Sequence, residues 1–448
     1  MDLFTAALVA SSLATAAVTY KARKVSRDTQ VEASDKPAHF KSFQVAFLAV
    51  YYLAVAADWL QGPYVYALYS AYGFSKHDIA VLFVGGFGAS MIFGTFAGAV
   101  ADKMGRKKAC QLYCVLYVAS CITKHARNYN VLMLGRITGG IATSLLFSAF
   151  DSWLVCEHNT QGFDPNQLSD TFSLMYFGNS LVAIISGIVA QAAADAVKLT
   201  RWKGHWYFGG YCSPFDLSAA VLVITFCLIS SLWGENFGSG DGGHDSNSKS
   251  HGTSLSVITK DKKIWILGAI VSLFEGSMYI FVFNWTPTFT SQISNPPFGL
   301  IFSTFMVACM GGSSLFGLFN SQNVKAERIM RGVLACSCAA LAVPLVTSKV
   351  PAIYLGFLLF EMCVGLYWPA IGTIKSRVVP EEVRATVYNL FRVPLNGVVL
   401  AILLNNMDVN TAFMWCAILL LVAFVSSSAM RGSGYERELL SEFSAAEH

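Results

Sequence analysis

The segment GAVADKMGRKK, residues 98–108, places a short charged turn between two long apolar runs. Gly98 permits close approach of a neighbouring helix, and Gly105 permits a tight turn. Asp102 can pair with Arg106 or cap a neighbouring helix, and such a pair can break and re-form between two conformations. We therefore predict a gating role for Gly98, Asp102, Gly105 and Arg106.

Apolar runs continue on both sides of this segment along the whole chain. The chain has 448 residues, of which 54% are apolar and 13% charged, whereas a typical soluble domain is about 25% charged. Each run can cross about 30 Å of hydrocarbon as a helix, the form in which a backbone satisfies its own hydrogen bonds in lipid. The sequence predicts an all-α integral membrane protein with twelve core helices and one extra N-terminal transmembrane segment. The predicted spans are 3–20, 43–71, 79–101, 108–125, 131–154, 168–195, 215–233, 264–289, 298–320, 329–347, 351–375, 385–406 and 411–430.

The core helices are predicted to form two six-helix halves. A hydrophilic break between the sixth and seventh core helices has a Gly/Ser-rich centre, which is typical of a flexible linker. The extra N-terminal run is followed by its basic cluster, which favours a retained signal anchor over a cleaved signal peptide. The predicted parts are the N-terminal segment with its basic linker (1–42), the halves (43–233 and 264–431), the flexible cytoplasmic linker (234–263) and a cytoplasmic tail (432–448).

The distribution of basic residues predicts the orientation. Most of the 31 Lys and Arg residues fall on one set of alternate loops, which the positive-inside rule assigns to the cytoplasm. We expect a multi-pass protein of the plasma membrane with its N-terminus outside and its C-terminus in the cytoplasm. The opposite loops hold Lys76, Lys124, Arg127, Lys198, Arg201, Lys203 and Lys349.

Several function classes are disfavoured by what the sequence lacks. The eleven cysteines are scattered without C-x-x-C spacing, and the two histidines of the hydrophilic linker are read as solvated. No G-x-S-x-G or H-E-x-x-H motif is present, and no basic stripe carries interleaved aromatics. We expect no enzyme activity, no metal, no cofactor and no nucleic-acid partner.

Two short motifs resemble those of the major facilitator superfamily. Residues 98–108 match its signature loop, and RITGG (136–140) is similar to its R-x-x-G-G element. Longer stretches resemble the molybdate-anion transporter family, a branch with plant, algal and animal members, and the likeness covers essentially the whole chain. It implies the major facilitator fold, alternating access and molybdate as the solute. These stretches are AADWLQGPYVYALY (56–69), LLFSAFDSW (145–153), LFEGSMYIFVFNWTP (273–287), EMCVGLYWP (361–369) and NLFRVPLNG (389–397).

Four acidic residues are the candidates for groups within the bilayer, where ionisable groups are costly and usually functional. Asp58, Asp151, Glu275 and Glu361 lie on core helices one, four, seven and ten, which by resemblance line the central cavity. An ionised carboxylate would repel an anionic substrate, so we predict that Asp58, Glu275 or Glu361 couples proton entry to anion entry. Asp151 lies near a helix end and is predicted to be structural or conformational.

Two arginines lie within the predicted spans. Arg392 is the predicted substrate anchor, because a guanidinium can bind two oxygens of an oxyanion and keeps its charge. The alternative is that Arg392 only forms a buried ion pair with Glu361 or Glu275. Arg136 is predicted to have a structural or gating role.

Polar and aromatic residues near these charges complete the predicted substrate site. The two amides are favoured, since an amide in hydrocarbon needs a hydrogen-bond partner. For each of the set, the alternative is plain packing or an interfacial position. They are Tyr52, Asn284, Trp285, Tyr367, Tyr388 and Asn389.

The predicted function is a monomeric secondary transporter that moves an oxyanion, by resemblance molybdate, through the lipid bilayer with protons as the candidate coupling ion. One alternative keeps the fold and changes the solute to a sugar or an organic anion. The other is a membrane sensor or scaffold that binds without transport.

Overall fold

The computed structural model describes residues 2–29, 38–237, 262–379, 384–405 and 407–429, and nearly all of them are helical. The predicted tail and most of the predicted linker lie outside these ranges. The α-helices are α1 (Leu3–Thr29), α2 (Ala38–Gln61), α3 (Val65–Ala71), α4 (Lys76–Gly94), α5 (Ala97–Met104), α6 (Arg106–Thr123), α7 (Tyr129–Leu146), α8 (Ala149–Thr160), α9 (Pro165–Ala196), α10 (Ser213–Leu232), α11 (Lys262–Thr290), α12 (Phe298–Ser321), α13 (Ala326–Val346), α14 (Val350–Val378), α15 (Arg384–Leu404) and α16 (Val409–Ala429). A two-residue hairpin, β1 (Thr200–Arg201) with β2 (Tyr207–Phe208), lies between α9 and α10.

The helices confirm the prediction of a multi-pass, all-α membrane protein. Among the described residues, eleven spans are long and apolar enough to cross a bilayer, and Leu390–Leu404 is a shorter apolar helix. Helix α6 is as long as a span but begins with three basic residues. Each predicted span therefore corresponds to a helix or to a pair of consecutive helices.

Two predicted spans are interrupted rather than continuous. The run 79–101 breaks between α4 and α5, where the Thr95 hydroxyl donates to the Ile92 carbonyl at 2.7 Å. The run 131–154 breaks between α7 and α8, where the Ser148 hydroxyl donates to the Ser144 carbonyl at 2.7 Å. Hydroxyls that bond back to the preceding turn can bend helices, and each break carries one such bond.

The described contacts group into two compact units. The first comprises Met1–Thr15, Arg27–Gly242 and Thr286–Val307. In it α2 packs on α9 and α10, and α7 packs on α4 and α6. The first half of α12 joins this unit through α9, since the Ser303 hydroxyl donates to the Ile184 carbonyl at 2.8 Å and Gly299 N donates to Gln191 Oε1 at 2.9 Å.

The second unit comprises Ala16–Ser26, Gly243–Trp285 and Ala308–His448. Helix α13 packs on α14 and α16. Backbones of α12 and α14 touch directly, because a Cβ at Gly365 would lie 1.9 Å from the Cys309 carbonyl oxygen. Small residues at such crossings are typical of membrane helix pairs. The division into two six-helix halves stays a prediction.

The N-terminal segment is one continuous helix that runs along α12. Thr15 donates to the Val307 carbonyl at 3.1 Å, and Thr19 bonds to Ser314 at 2.8 Å. Only 11% of its most apolar stretch is buried, so most of its surface is free to face lipid. Its retention as a signal anchor stays a prediction.

Candidate functional site

An acid, a lysine and a tyrosine meet in the second unit. Glu275 on α11 lies 3.7 Å from Lys375 Nζ on α14, and the Tyr367 hydroxyl donates to the same Glu275 oxygen at 2.9 Å. The side chains of Glu275 and Lys375 are 14% and 16% exposed. Tyr367 is itself fixed by stacking on Phe274, with ring centroids 4.0 Å apart. The site therefore contains a partly buried ion pair held by an ordered phenol.

Lys375 is absent from the sequence predictions. It is the last residue of the predicted span 351–375, whereas α14 continues to Val378 and keeps it within the helix. Its spacing of eight residues from Tyr367, about two helical turns, was the available signal.

Arg392 lies on α15 near this pair. Its charge is close enough to act on Lys375 and on Tyr279. Its side chain is exposed, and within the described part of the chain its guanidinium forms no ion pair and no hydrogen bond. The alternative prediction of an ion pair between Arg392 and Glu361 or Glu275 thus has no counterpart among the described residues, since Glu275 pairs with Lys375.

The other predicted substrate contacts differ in what they do. Tyr388 lies under Lys375, whose Nζ is 5.2 Å from its ring centroid. Asn284 donates to the Ile280 carbonyl of its own helix at 2.8 Å, and Trp285 is buried. The side chain of Asn389 lies outside what the structure describes.

Glu361 on α14 is a second buried acid of this unit. It is 6% exposed and has neither a hydrogen bond nor an ion pair with any described residue. Burying an ionised carboxylate without a countercharge is costly, which favours the protonated form of Glu361.

A separate polar cluster lies in the first unit. Asp58 on α2 accepts a short hydrogen bond from the Tyr117 hydroxyl, and Tyr113 donates to the Ala54 carbonyl at 2.8 Å. Tyr52, predicted to contact substrate, donates to the Leu174 carbonyl at 2.7 Å and packs against Gly178. Tyr117 was not predicted, because an aromatic residue in an apolar run gives no sign of its partner.

The signature segment is locked by its own charges. Asp102 Oδ1 lies 2.8 Å from both Nε and Nη2 of Arg106, and Arg106 Nη1 donates to the Ser152 carbonyl at 3.1 Å. Gly105 adopts φ 101°, which favours glycine. At Gly98 the expectation of a close helix approach is wrong for this conformation, because a Cβ there would meet no atom within 4 Å. Helix α5 faces open space at that position.

The first residues after α10 clamp this segment. Glu235 Oε1 accepts from Lys107 N at 2.8 Å, and the Asn236 carbonyl accepts from Arg106 N at 2.9 Å. Trp153 donates to the Gly234 carbonyl at 2.9 Å and stacks on Trp233 with centroids 3.9 Å apart. Residues 234–237 were assigned to the flexible linker, so this clamp was missed.

Asp151 and Arg136 lie in different parts of the first unit. Asp151 occupies the first turn of α8, where a negative charge interacts favourably with the helix dipole. Arg136 Nε donates to the Leu82 carbonyl at 3.2 Å, and its guanidinium lies 4.8 Å from the Phe83 ring centroid. Arg136 therefore joins α7 to α4.

Comparisons with known proteins agree on a transporter. Residues 7–367 match a family model described as sugar transporters with 12 transmembrane segments. The chain is 36% identical to the molybdate-anion transporter of Xenopus tropicalis over 89% of this chain and 87% of the relative. It is 35% identical to that of Danio rerio over 85% and 82%. A mutant form of the nucleoside transporter NupG superposes with a TM-score of 0.68 at 14% identity, covering 87% of this chain and 99% of that structure. This likeness confirms the predicted fold.

Proposed function

Since the chain belongs to the molybdate-anion transporter family of the major facilitator superfamily, we propose that it carries molybdate across a membrane by alternating access. The chain is a membrane transporter and not an enzyme. The observation that supports an anionic solute is Arg392, an exposed guanidinium that no described carboxylate neutralises. A guanidinium offers paired donors to two oxygens of a tetrahedral oxyanion.

The charges around Arg392 suit a dianion. Arg392 and Lys375 supply two positive charges, and molybdate carries two negative ones. Glu275 adds a negative charge at 3.7 Å from Lys375, so balance requires that Glu275 takes a proton when the substrate binds. Lys375 then exchanges Glu275 for the anion. This makes Glu275 the proposed coupling acid, with one proton accompanying each molybdate.

The test is uptake of isotopic molybdate into liposomes that hold the purified protein. We expect tungstate and sulfate to inhibit molybdate uptake by the wild type. Arg392→Ala should reduce molybdate uptake at least tenfold, because a charge-assisted hydrogen bond contributes about 1.5–3 kcal/mol. Arg328→Ala is the matched control, as Arg328 is an exposed arginine at the start of α13. Uptake that survives Arg392→Ala unchanged would remove Arg392 as the anchor.

The two rival functions give different results in the same experiment. Uptake of a sugar or organic anion in place of molybdate would keep the fold and change the solute. Saturable binding without any uptake by folded protein would favour a sensor.

The proposed setting is the plasma membrane, with a monomer whose N-terminus is outside and whose C-terminus is cytoplasmic. Labelling of Lys198 and Lys203 from the outside of intact cells tests the orientation. Reactivity only after permeabilisation would contradict it.

A further inference from the structure

Lys124 is a buried lysine whose amino group makes no hydrogen bond to any described residue. It follows α6 in the loop 124–128, is 1% exposed, and its Nζ has no hydrogen-bond partner in the described part of the chain. The loop itself is fixed, because the Tyr72 hydroxyl donates to the Lys124 carbonyl at 2.6 Å. The position of this ammonium is therefore set by the fold.

The charged side chain that acts on Lys124 is another cation, Arg136, and the other group that acts on it is the Cys121 thiol. Arg136 is close enough for its charge to act on Lys124, and no carboxylate is among the groups that act on it. Asp216, an acid of the same region, pairs with His125 instead, with Asp216 Oδ1 at 2.8 Å from His125 Nε2. Two cations thus lie near one another with no countercharge from the described residues.

Tyr69 supplies a second unsatisfied donor beside Lys124. The Lys124 Nζ lies 5.8 Å from the Tyr69 ring centroid. The Tyr69 hydroxyl is fully buried and has no hydrogen-bond partner among the described residues. It also lies within range of the Arg136 charge. Buried polar groups are nearly always satisfied in folded proteins. An orphaned ammonium and an orphaned hydroxyl near one guanidinium are the donors that an anion would need.

We propose that Lys124, Arg136 and Tyr69 form a binding site for a small inorganic anion of the size of chloride. The space limits the ligand to a small ion, because Nζ is closely packed: a Cβ at Gly135 would lie 3.2 Å from it. The site belongs to the first unit, whereas Arg392 belongs to the second. It does not depend on the proposed transport of molybdate.

The protonation of Lys124 links this site to pH. Burial, followed by the charge of Arg136, lowers the pKa of Lys124 to about 7. At neutral pH the ammonium is thus close to losing its proton, and a bound anion would retain it. A neutral amine with no ligand is the competing account.

The experiment measures thermal unfolding of the full-length Arg392→Ala protein in detergent at pH 7. Chloride replaces gluconate at constant ionic strength, and the Arg392→Ala background keeps the transport site out of the readout. We expect Tm to rise with chloride and to saturate, because a ligand that binds only the folded state stabilises it. The rise should vanish with Lys124→Met and persist with Lys198→Met, a control at an exposed lysine on the same predicted side.

Two further outcomes decide the proposal. With Tyr69→Phe we expect the chloride concentration at half-saturation to increase at least threefold. If Lys124→Met does not fold, Tyr69→Phe alone decides, and an unchanged half-saturation overturns the site. A Tm that is independent of chloride before any Lys124 change also overturns it and leaves the Arg392 uptake result untouched.

Discussion

Lys375 Nζ and Glu275 Oε1 lie 3.7 Å apart and join the last turn of α14 to the middle of α11. A cation in the last turn of a helix is favoured by the helix dipole, and the carboxylate adds to that preference. The pair holds Lys375 beside Tyr388 and within range of Arg392. The transport role that we propose for this pair requires that it can open.

We expect Lys375→Met to reduce molybdate uptake at least tenfold, because Glu275 would lose its partner and the substrate would lose one of two positive charges. Lys375→Arg should retain part of the uptake. The double variant Lys375→Met with Glu275→Gln should regain thermal stability without regaining uptake, since it removes the unpaired charge but not the substrate's need for a cation. Full uptake in Lys375→Met would show that this lysine only supports the fold.

Gly105→Ala should destabilise the protein and slow transport. At φ 101° a Cβ is strained, and it would lie 2.5 Å from the Glu235 carboxyl carbon. Backbone strain of this kind costs about 1–3 kcal/mol. Thermal unfolding and uptake are measured together, and Gly98→Ala serves as the matched control.

Gly98→Ala should be neutral or stabilising, because a Cβ there meets no atom and alanine favours a helix by about 0.5–1 kcal/mol. A stable Gly98→Ala protein with impaired uptake would instead indicate that α5 approaches another helix closely in a second conformation. That result would restore the gating role predicted for Gly98.

The sequence predicted the spans well because length and apolarity alone decide them. It could not place charges that lie at the ends of apolar runs. Lys375 and Lys124 fall at the ends of predicted spans, and Glu235 falls in the predicted flexible linker. Each nevertheless contacts a residue of a distant helix. The helix breaks at Thr95 and Ser148 were missed because the apolar pattern continues through them. Arg392 and Glu361 were chosen as candidates by a simpler rule, that ionisable residues inside spans are usually functional.

Lys124 and His125 should give opposite dependences of stability on pH. Unfolded lysine titrates near pH 10.4, whereas the pKa of Lys124 is lowered to about 7 by burial and Arg136. The unfolded chain then binds more protons between these values, so the Lys124 contribution makes stability rise with pH across that window. The surrounding groups are Arg136, Tyr69, Tyr72 and Cys121. Tm is measured at pH 7 and pH 9 in gluconate, and the rise in Tm between these values should be larger for the wild type than for Lys124→Met. An equal change in both proteins would contradict the lowered pKa.

His125 is shifted the other way. Burial alone would lower its pKa, but hydrogen bonds to Asp216, Cys212 and the Tyr207 carbonyl raise it to about 10. The stability contributed by the ion pair with Asp216 is therefore full below about pH 6.5, the value for unfolded histidine, and is lost as pH rises through about 10. Asp216→Asn should remove this loss in a Tm series from pH 6 to pH 10. An unchanged slope in Asp216→Asn would show that the His125 charge does not depend on the pair.

Glu275→Gln should separate binding from proton coupling. Glutamine mimics the protonated acid, so the site can still balance a dianion with Arg392 and Lys375, and exchange of labelled for unlabelled molybdate should persist. Accumulation driven by an inward proton gradient should fall to the level seen without a gradient, because no proton can be taken up or released at this position. Glu361→Gln should retain both activities if Glu361 is a buried acid that stays protonated throughout. Loss of gradient-driven accumulation in Glu361→Gln but not in Glu275→Gln would move the coupling proton to Glu361, the buried acid without a described partner. Accumulation that never responds to the gradient, even in wild type, would remove proton coupling and leave Glu275 as the resting partner of Lys375.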